Sequence, residues 1–80
     1  MSDLMRADSW MHMVLRYDTP LNICEKRFRE FSLEANSFIM KELKDRIIPD
    51  AKNAGYLYVA EGYEKILSVL EKEISQKLNR

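Results

Sequence analysis

The first stretch of the chain repeats apolar residues at helical spacing. They lie three or four positions apart and share one face of a helix: Leu4, Ala7, Met11 and Val14. Ser2 or Asp3 can cap the start of this helix, and Pro20 stands beyond its end. The pattern therefore predicts a first helix over residues 2–17.

The second apolar pattern is the longest in the chain. Its spacing alternates between three and four, as in a coiled-coil seam: Leu21, Cys24, Phe28, Phe31, Ala35 and Phe38. Ile39 and Leu43 continue the stripe beyond the strict heptad. Ser32 and Ser37 are poor interior residues that leave a break open, but the apolar stripe crosses them without a change of phase. We predict one long helix over residues 20–47, ended by Pro49 because a proline disfavours helical backbone at the residue before it. The stretch PDAKNAG is then a connector, in which one helical turn ending at Gly55 stays open.

The stretch YLYVAEGYEKIL, residues 56–67, allows two interpretations. Residues 56–60 are typical of a strand, since aromatic and β-branched residues follow a glycine. The helical phase has more support, because apolar residues continue along one face: Tyr56, Val59, Tyr63, Ile66, Leu70 and Ile74. Gly62 weakens such a helix by about 1 kcal/mol relative to alanine. We predict a third helix over residues 56–79, and residues 56–60 stay open between helix and strand.

The length of the chain limits the core that these helices can build. Eighty residues form one domain, residues 1–80, and a domain this small buries only about 60% of its unfolded surface. Apolar residues nevertheless make up 46% of the chain, which leaves more apolar faces than a small core can cover. We predict an all-α three-helix bundle with one long central helix, completed by a second copy of the chain.

Charge and cysteine content exclude several classes of partner and location. Thirteen basic residues balance thirteen acidic ones, so no net charge favours an acidic or basic partner. The start, MSDLMRADSW, has no apolar core of signal-peptide length, and no apolar run is long enough to span a bilayer. Cys24 is the single cysteine, so an internal disulfide is impossible. We expect a cytoplasmic protein without a membrane association.

Two side chains are candidates for catalysis or metal binding. His12 and Cys24 can form a nucleophile and base, or a soft metal site together with Met11 and Met13. His12 lies on the most apolar helix and Cys24 on the core seam, and the paired spacing of four-ligand metal sites is missing. Structural roles are therefore favoured, and we expect neither an enzyme nor a cofactor or metal.

Basic residues group in two places. Lys26, Arg27 and Arg29 form one group, and the lysines and arginine of residues 41–52 form the other. Acidic residues interleave with both groups, which weakens the field that a phosphate backbone would meet. Nucleic acid is therefore an unlikely partner, and a small dimeric transcriptional regulator is the alternative function, with Lys26, Arg27 and Arg29 as its contacts.

The aromatic residues are the basis of the leading hypothesis about function. Tryptophan, tyrosine and methionine dominate protein interfaces, and Tyr58 points away from the core if Tyr56 and Tyr63 face it. The expected contact residues are Trp10, Met13, Tyr17 and Tyr58. The predicted function is a non-enzymatic interaction module, such as an adaptor, inhibitor or assembly subunit. Its partner is another protein or a second copy, and we expect a homodimer.

Overall fold

The protein is a small bundle of helices. The computed structural model describes residues 2–79, and no strand occurs among them. The elements in chain order are α1 (Asp3–Met13), α2 (Leu21–Glu30), α3 (Leu33–Glu42), a π-helical segment (Leu43–Ile47), α4 (Ile48–Asn53) and α5 (Leu57–Leu78). Helix α5 packs against α2, α3 and α4, and α1 packs against α3. The all-α prediction is confirmed.

The core follows the apolar stripes of the sequence. Its most completely buried large side chains come from the second and third stripes: Phe28, Ile39, Leu43, Ile66 and Leu70. Ala7 and Met11 of α1 are buried as well, whereas Leu4 and Val14 of the same predicted stripe are exposed. Helix α1 thus covers the core with its middle turns alone.

The single helix predicted over residues 20–47 is wrong, because it breaks between α2 and α3. Phe31 adopts an extended backbone, and Ser32 caps α3 by accepting a hydrogen bond from the Ala35 amide at 3.1 Å. The apolar stripe continues across the break, since Phe28, Phe31 and Ala35 are all buried. An uninterrupted stripe therefore does not require an uninterrupted helix.

Three side chains from outside the break stabilise its backbone by hydrogen bonds. Asp3 accepts a hydrogen bond from the Ser32 amide at 2.6 Å, and this bond keeps the pKa of Asp3 below its ordinary value. The buried Asn36 donates through Nδ2 to the Phe28 carbonyl at 2.9 Å. Lys77 of α5 donates to the carbonyls of Phe28 and Phe31, each at 2.6 Å. The carbonyls at the end of α2 thus gain long-range partners in place of the helical ones.

The first helix ends at Met13 rather than at residue 17. Leu15 is almost completely buried, and its amide donates to the Trp10 carbonyl, so the chain leaves the helix to bring Leu15 inward. A turn follows, in which the Thr19 hydroxyl accepts a hydrogen bond from the Arg16 amide at 2.8 Å. Pro20 then precedes α2 as its cap residue.

Pro49 does not end the helical path, contrary to the prediction. The π-helical segment lies immediately before α4, and the Ile48 amide donates to the Leu43 carbonyl five residues back. Pro49 therefore falls in the first turn of α4, where the missing N–H costs little. Helix α4 ends at Asn53, and the turn that the sequence leaves open closes at Gly55, whose positive φ of 83° allows the Tyr56 amide to reach the Ala51 carbonyl at 2.9 Å.

Residues 57–60 are helical, which decides between the two interpretations of this stretch in favour of the helix. Tyr56 is the cap residue of α5, and Gly62 lies inside the helix. A Cβ on Gly62 would collide with the Tyr17 carbonyl oxygen and lie 3.0 Å from the Tyr17 carbonyl carbon. Glycine at this position therefore lets the loop after α1 rest directly on α5.

We expect Gly62→Ala to lower the free energy of unfolding by about 1–2 kcal/mol. Helix propensity favours alanine by about 1 kcal/mol, but forcing a methyl group against fixed backbone costs about 1–3 kcal/mol or more. Urea denaturation followed by circular dichroism measures the difference. Ser68→Ala, at an exposed position of α5, is the matched control and should be neutral or slightly stabilising. A stabilising Gly62→Ala would contradict the close contact with Tyr17.

Candidate interaction surfaces

Three tyrosines and a leucine form an exposed group at the start of α5. We call Tyr17, Tyr56, Leu57 and Tyr58 the tyrosine cluster. The rings of Tyr17 and Tyr58 meet edge to face with centroids 5.5 Å apart, and those of Tyr56 and Tyr58 do so at 6.5 Å. Tyr58 is 62% exposed and Leu57 64% exposed. The rings therefore order one another at the surface without being buried.

The backbone around the cluster explains its position. The turn at Gly55 sets the start of α5, and the contact between Gly62 and the Tyr17 backbone brings the loop after α1 beside Tyr58. A shallow hollow adjoins the cluster, and Tyr17 and Tyr58 line it together with Asp18, Glu61 and Lys65. Aromatic rings and carboxylates thus share this end of the bundle.

A second apolar surface lies between α1 and α2. We call it the α1–α2 groove; it has a volume of about 360 Å³ and is lined by Arg6, Ser9, Trp10, Met13, Val14, Arg27 and Phe31. The rings of Trp10 and Phe31 meet edge to face at 6.0 Å. Met13 is 76% exposed and Val14 is 51% exposed. The groove thus presents two exposed apolar side chains beside two nearly buried aromatic ones.

The structure separates the four predicted contact residues into two pairs. Trp10 and Met13 line the α1–α2 groove, and Tyr17 and Tyr58 belong to the tyrosine cluster. Trp10 is only 7% exposed and packs on Phe28 with ring centroids 5.7 Å apart, so most of this side chain serves the core.

Sequence reasoning missed part of both surfaces. Tyr56 was expected in the core but is more than half exposed, because α5 begins only after it. Leu57 and Val14 were also missed, since each lies where a helix starts or ends and helical periodicity gives no reliable face. The exposure of Val14 after α1 and of Leu57 at the start of α5 can be predicted only when the helix boundaries are known.

The basic group of α2 is largely paired within its own helix. Arg27 lies 3.3 Å from a Glu30 carboxylate oxygen, and Arg29 contacts the Glu25 carboxylate. Lys26 is exposed beside them. Arg27 also lines the α1–α2 groove, so one side of this group borders an apolar surface. These pairs weaken the positive field that a nucleic acid would require.

The structure places His12 and Cys24 in different environments. His12 is exposed, and its Nδ1 lies 2.9 Å from the Asp8 carbonyl oxygen of the preceding turn. Cys24 is completely buried, and burial raises the pKa of its thiol to about 11. The thiolate needed for nucleophilic or metal chemistry is therefore scarce at neutral pH. Within residues 2–79, no group of three potential ligands is arranged to hold a metal ion.

Two further observations concern the chain as a whole. Among the described residues, no helix combines the length and the apolar character required to cross a membrane. The chain matches no known family model, no curated protein and no solved structure. The two surfaces defined above are therefore the basis for any assignment of function.

Proposed function

We propose that this protein is a non-enzymatic protein–protein interaction module, acting as an adaptor, inhibitor or assembly subunit in the cytoplasm. The tyrosine cluster is its main contact surface. The exposure of Tyr58, Leu57 and Tyr56 side by side carries this proposal. Tyrosine supplies a large contact area with few rotatable bonds, and it is enriched among residues that dominate binding energy.

The order within the cluster supports a role in binding. Tyr58 contacts Tyr17 on one side and Tyr56 on the other, so its ring loses less conformational freedom when a partner covers it. An isolated exposed tyrosine would need no explanation, but a contiguous group of large apolar side chains is typical of an interface.

A second copy of the chain is the first partner that we expect. The core of an 80-residue chain is small, and exposed apolar side chains occur at the α1–α2 groove as well as at the cluster. Association would cover this surface and add the stability that a small core supplies only sparingly. The resulting module is a homodimer or a larger homo-oligomer.

Tyr58→Ser should weaken self-association at least about tenfold, which corresponds to about 1.4 kcal/mol. The variant removes a ring that is mostly exposed, so the monomer should keep its fold. Light scattering from micromolar to millimolar protein measures the association, and circular dichroism checks the fold.

Leu78→Ser is the matched control, because Leu78 is about as exposed as Tyr58 but lies at the far end of α5. It should leave self-association unchanged. Equal effects of the two variants would contradict the assignment of the cluster as the contact surface. A wild-type protein that stays monomeric over the whole range would contradict a second copy as its partner.

A further inference from the structure

The two apolar surfaces of the chain carry opposite charges. Arg6 and Arg27 line the α1–α2 groove, and no acidic residue does so. The hollow beside the tyrosine cluster is lined by two acidic residues, Asp18 and Glu61, against one basic residue, Lys65. One surface thus combines aromatic rings with carboxylates, and the other combines an apolar floor with guanidinium groups. Such surfaces complement each other.

The contacts that these charged side chains make within one copy leave them able to pair with a second copy. Arg6 lies 3.9 Å from an Asp3 oxygen and Arg27 lies 3.3 Å from a Glu30 oxygen, and all four side chains are about one third exposed or more. Ion pairs at this exposure contribute little and exchange readily. Within residues 2–79, neither Asp18 nor Glu61 forms an ion pair. Both carboxylates can therefore meet an arginine without losing a partner.

The spacing of Tyr58 and Glu61 and the volume of the α1–α2 groove are compatible with such a contact. Tyr58 and Glu61 lie three residues apart on α5, so they project from the same face of the helix. The volume of the α1–α2 groove, about 360 Å³, is at the low end of the range of about 300–1,000 Å³ for ligand sites and suits inserted side chains rather than a whole helix. Its floor of Trp10 and Phe31 offers aromatic edges to an incoming ring.

We propose that the tyrosine cluster of one copy docks in the α1–α2 groove of a second copy. Tyr58 of the first copy inserts between Met13 and Val14 of the second, and Glu61 of the first copy faces Arg27 of the second. The contact joins two different surfaces of the chain. Two copies that make it reciprocally form a closed two-fold dimer, and copies that make it head to tail form a ring or an open chain. This inference rests on the proposed function, whose self-association it deepens.

A mixing experiment with two variants tests this contact. Met13→Glu places a carboxylate in the groove and leaves the cluster intact, whereas Tyr58→Ser removes the inserted ring and leaves the groove intact. Met13 and Tyr58 are both mostly exposed, so both variants should fold. Each variant alone should associate at least about tenfold more weakly than wild type. An equimolar mixture should regain part of the association, because the cluster of the Met13→Glu chain fits the groove of the Tyr58→Ser chain, whereas the reverse contact stays broken.

A charge exchange within one chain provides the second test. Arg27→Glu and Glu61→Arg should each weaken association, and the chain that carries both substitutions should recover most of it. A mixture of wild type and Leu78→Ser should behave as wild type alone. Light scattering at fixed total concentration measures all of these samples, and circular dichroism verifies the fold of each.

The outcomes separate this inference from the proposed function. Undiminished association of Met13→Glu and Arg27→Glu, with no gain on mixing, would indicate that two clusters face each other across a symmetric contact. That result overturns the contact between cluster and groove and leaves the interaction module standing. A wild-type chain that stays monomeric at millimolar concentration overturns both this contact and the second copy as partner.

Discussion

Replacing Trp10 by alanine should lower the free energy of unfolding by about 3–5 kcal/mol. The indole packs edge to face on Phe28 at 5.7 Å and on Phe31 at 6.0 Å, and 7% of the residue is exposed. Truncation removes both ring contacts and leaves a cavity at the junction of α1 with α2. Small domains have only about 5–15 kcal/mol of stability in total, so the variant should be close to unfolding at moderate temperature.

Denaturation followed by circular dichroism measures this loss, since Trp10 is the only tryptophan and its fluorescence disappears with it. Trp10→Phe is the control: it keeps a ring on Phe28 and should lose much less stability. A loss below about 1 kcal/mol for Trp10→Ala would contradict its place in the core. Association must be compared per folded molecule, because an unfolded fraction would mimic a weakened interface.

Lys77→Met should lower the free energy of unfolding by about 2–3 kcal/mol, the next largest effect that we expect. The ammonium group of Lys77 donates to the carbonyls of Phe28 and Phe31, each at 2.6 Å, in a half-buried position. Hydrogen bonds to a charged group are worth about 1.5–3 kcal/mol each, and partial exposure reduces their sum. Methionine keeps most of the side-chain volume, so the variant isolates the loss of the ammonium group.

Lys72→Met is the matched control, because it removes an ammonium group from an exposed position of the same helix. It should change stability by no more than about 0.5 kcal/mol. Asn36 still donates to the Phe28 carbonyl in the Lys77 variant. The Phe31 carbonyl, in contrast, loses the hydrogen bond that Lys77 donates to it. Equal losses in the two variants would show that the break between α2 and α3 does not depend on Lys77.

The sequence was sufficient to predict the helical class and most of the core. Apolar periodicity identified Phe28, Ile39, Ile66 and Leu70 as buried, because each lies in the middle of a regular stripe. It failed at the break after Phe31, where the stripe keeps its phase while the backbone bends. Ser32 supplies a local cap, but the bend also depends on Asp3, Asn36 and Lys77, and Asp3 and Lys77 lie far away in sequence. A local pattern contains no information about them.

The two candidate surfaces could be predicted in part. Residue type alone identified Trp10, Met13, Tyr17 and Tyr58 as candidates, and all four line one of the two surfaces. Their grouping into a cluster and a groove depends on how α1 and α5 approach each other. Gly62 contained the relevant signal, since a glycine inside a helix indicates a close backbone neighbour, but the sequence does not say that the neighbour is Tyr17.

The break between α2 and α3 has a consequence for the order of folding. Its hydrogen-bond partners come from both ends of the chain: Asp3 is 29 residues from Ser32, and Lys77 is 46 residues from Phe31. Contacts within a helix need no loop closure, whereas contacts across loops of this length must first offset the entropy of closing the loop and therefore form late. We therefore expect residues 20–42 to pass through the straight helix that their apolar stripe favours, and to bend late, when α1 and α5 dock. Truncation that removes Asp3 or Lys77 should then alter the geometry of the break between α2 and α3.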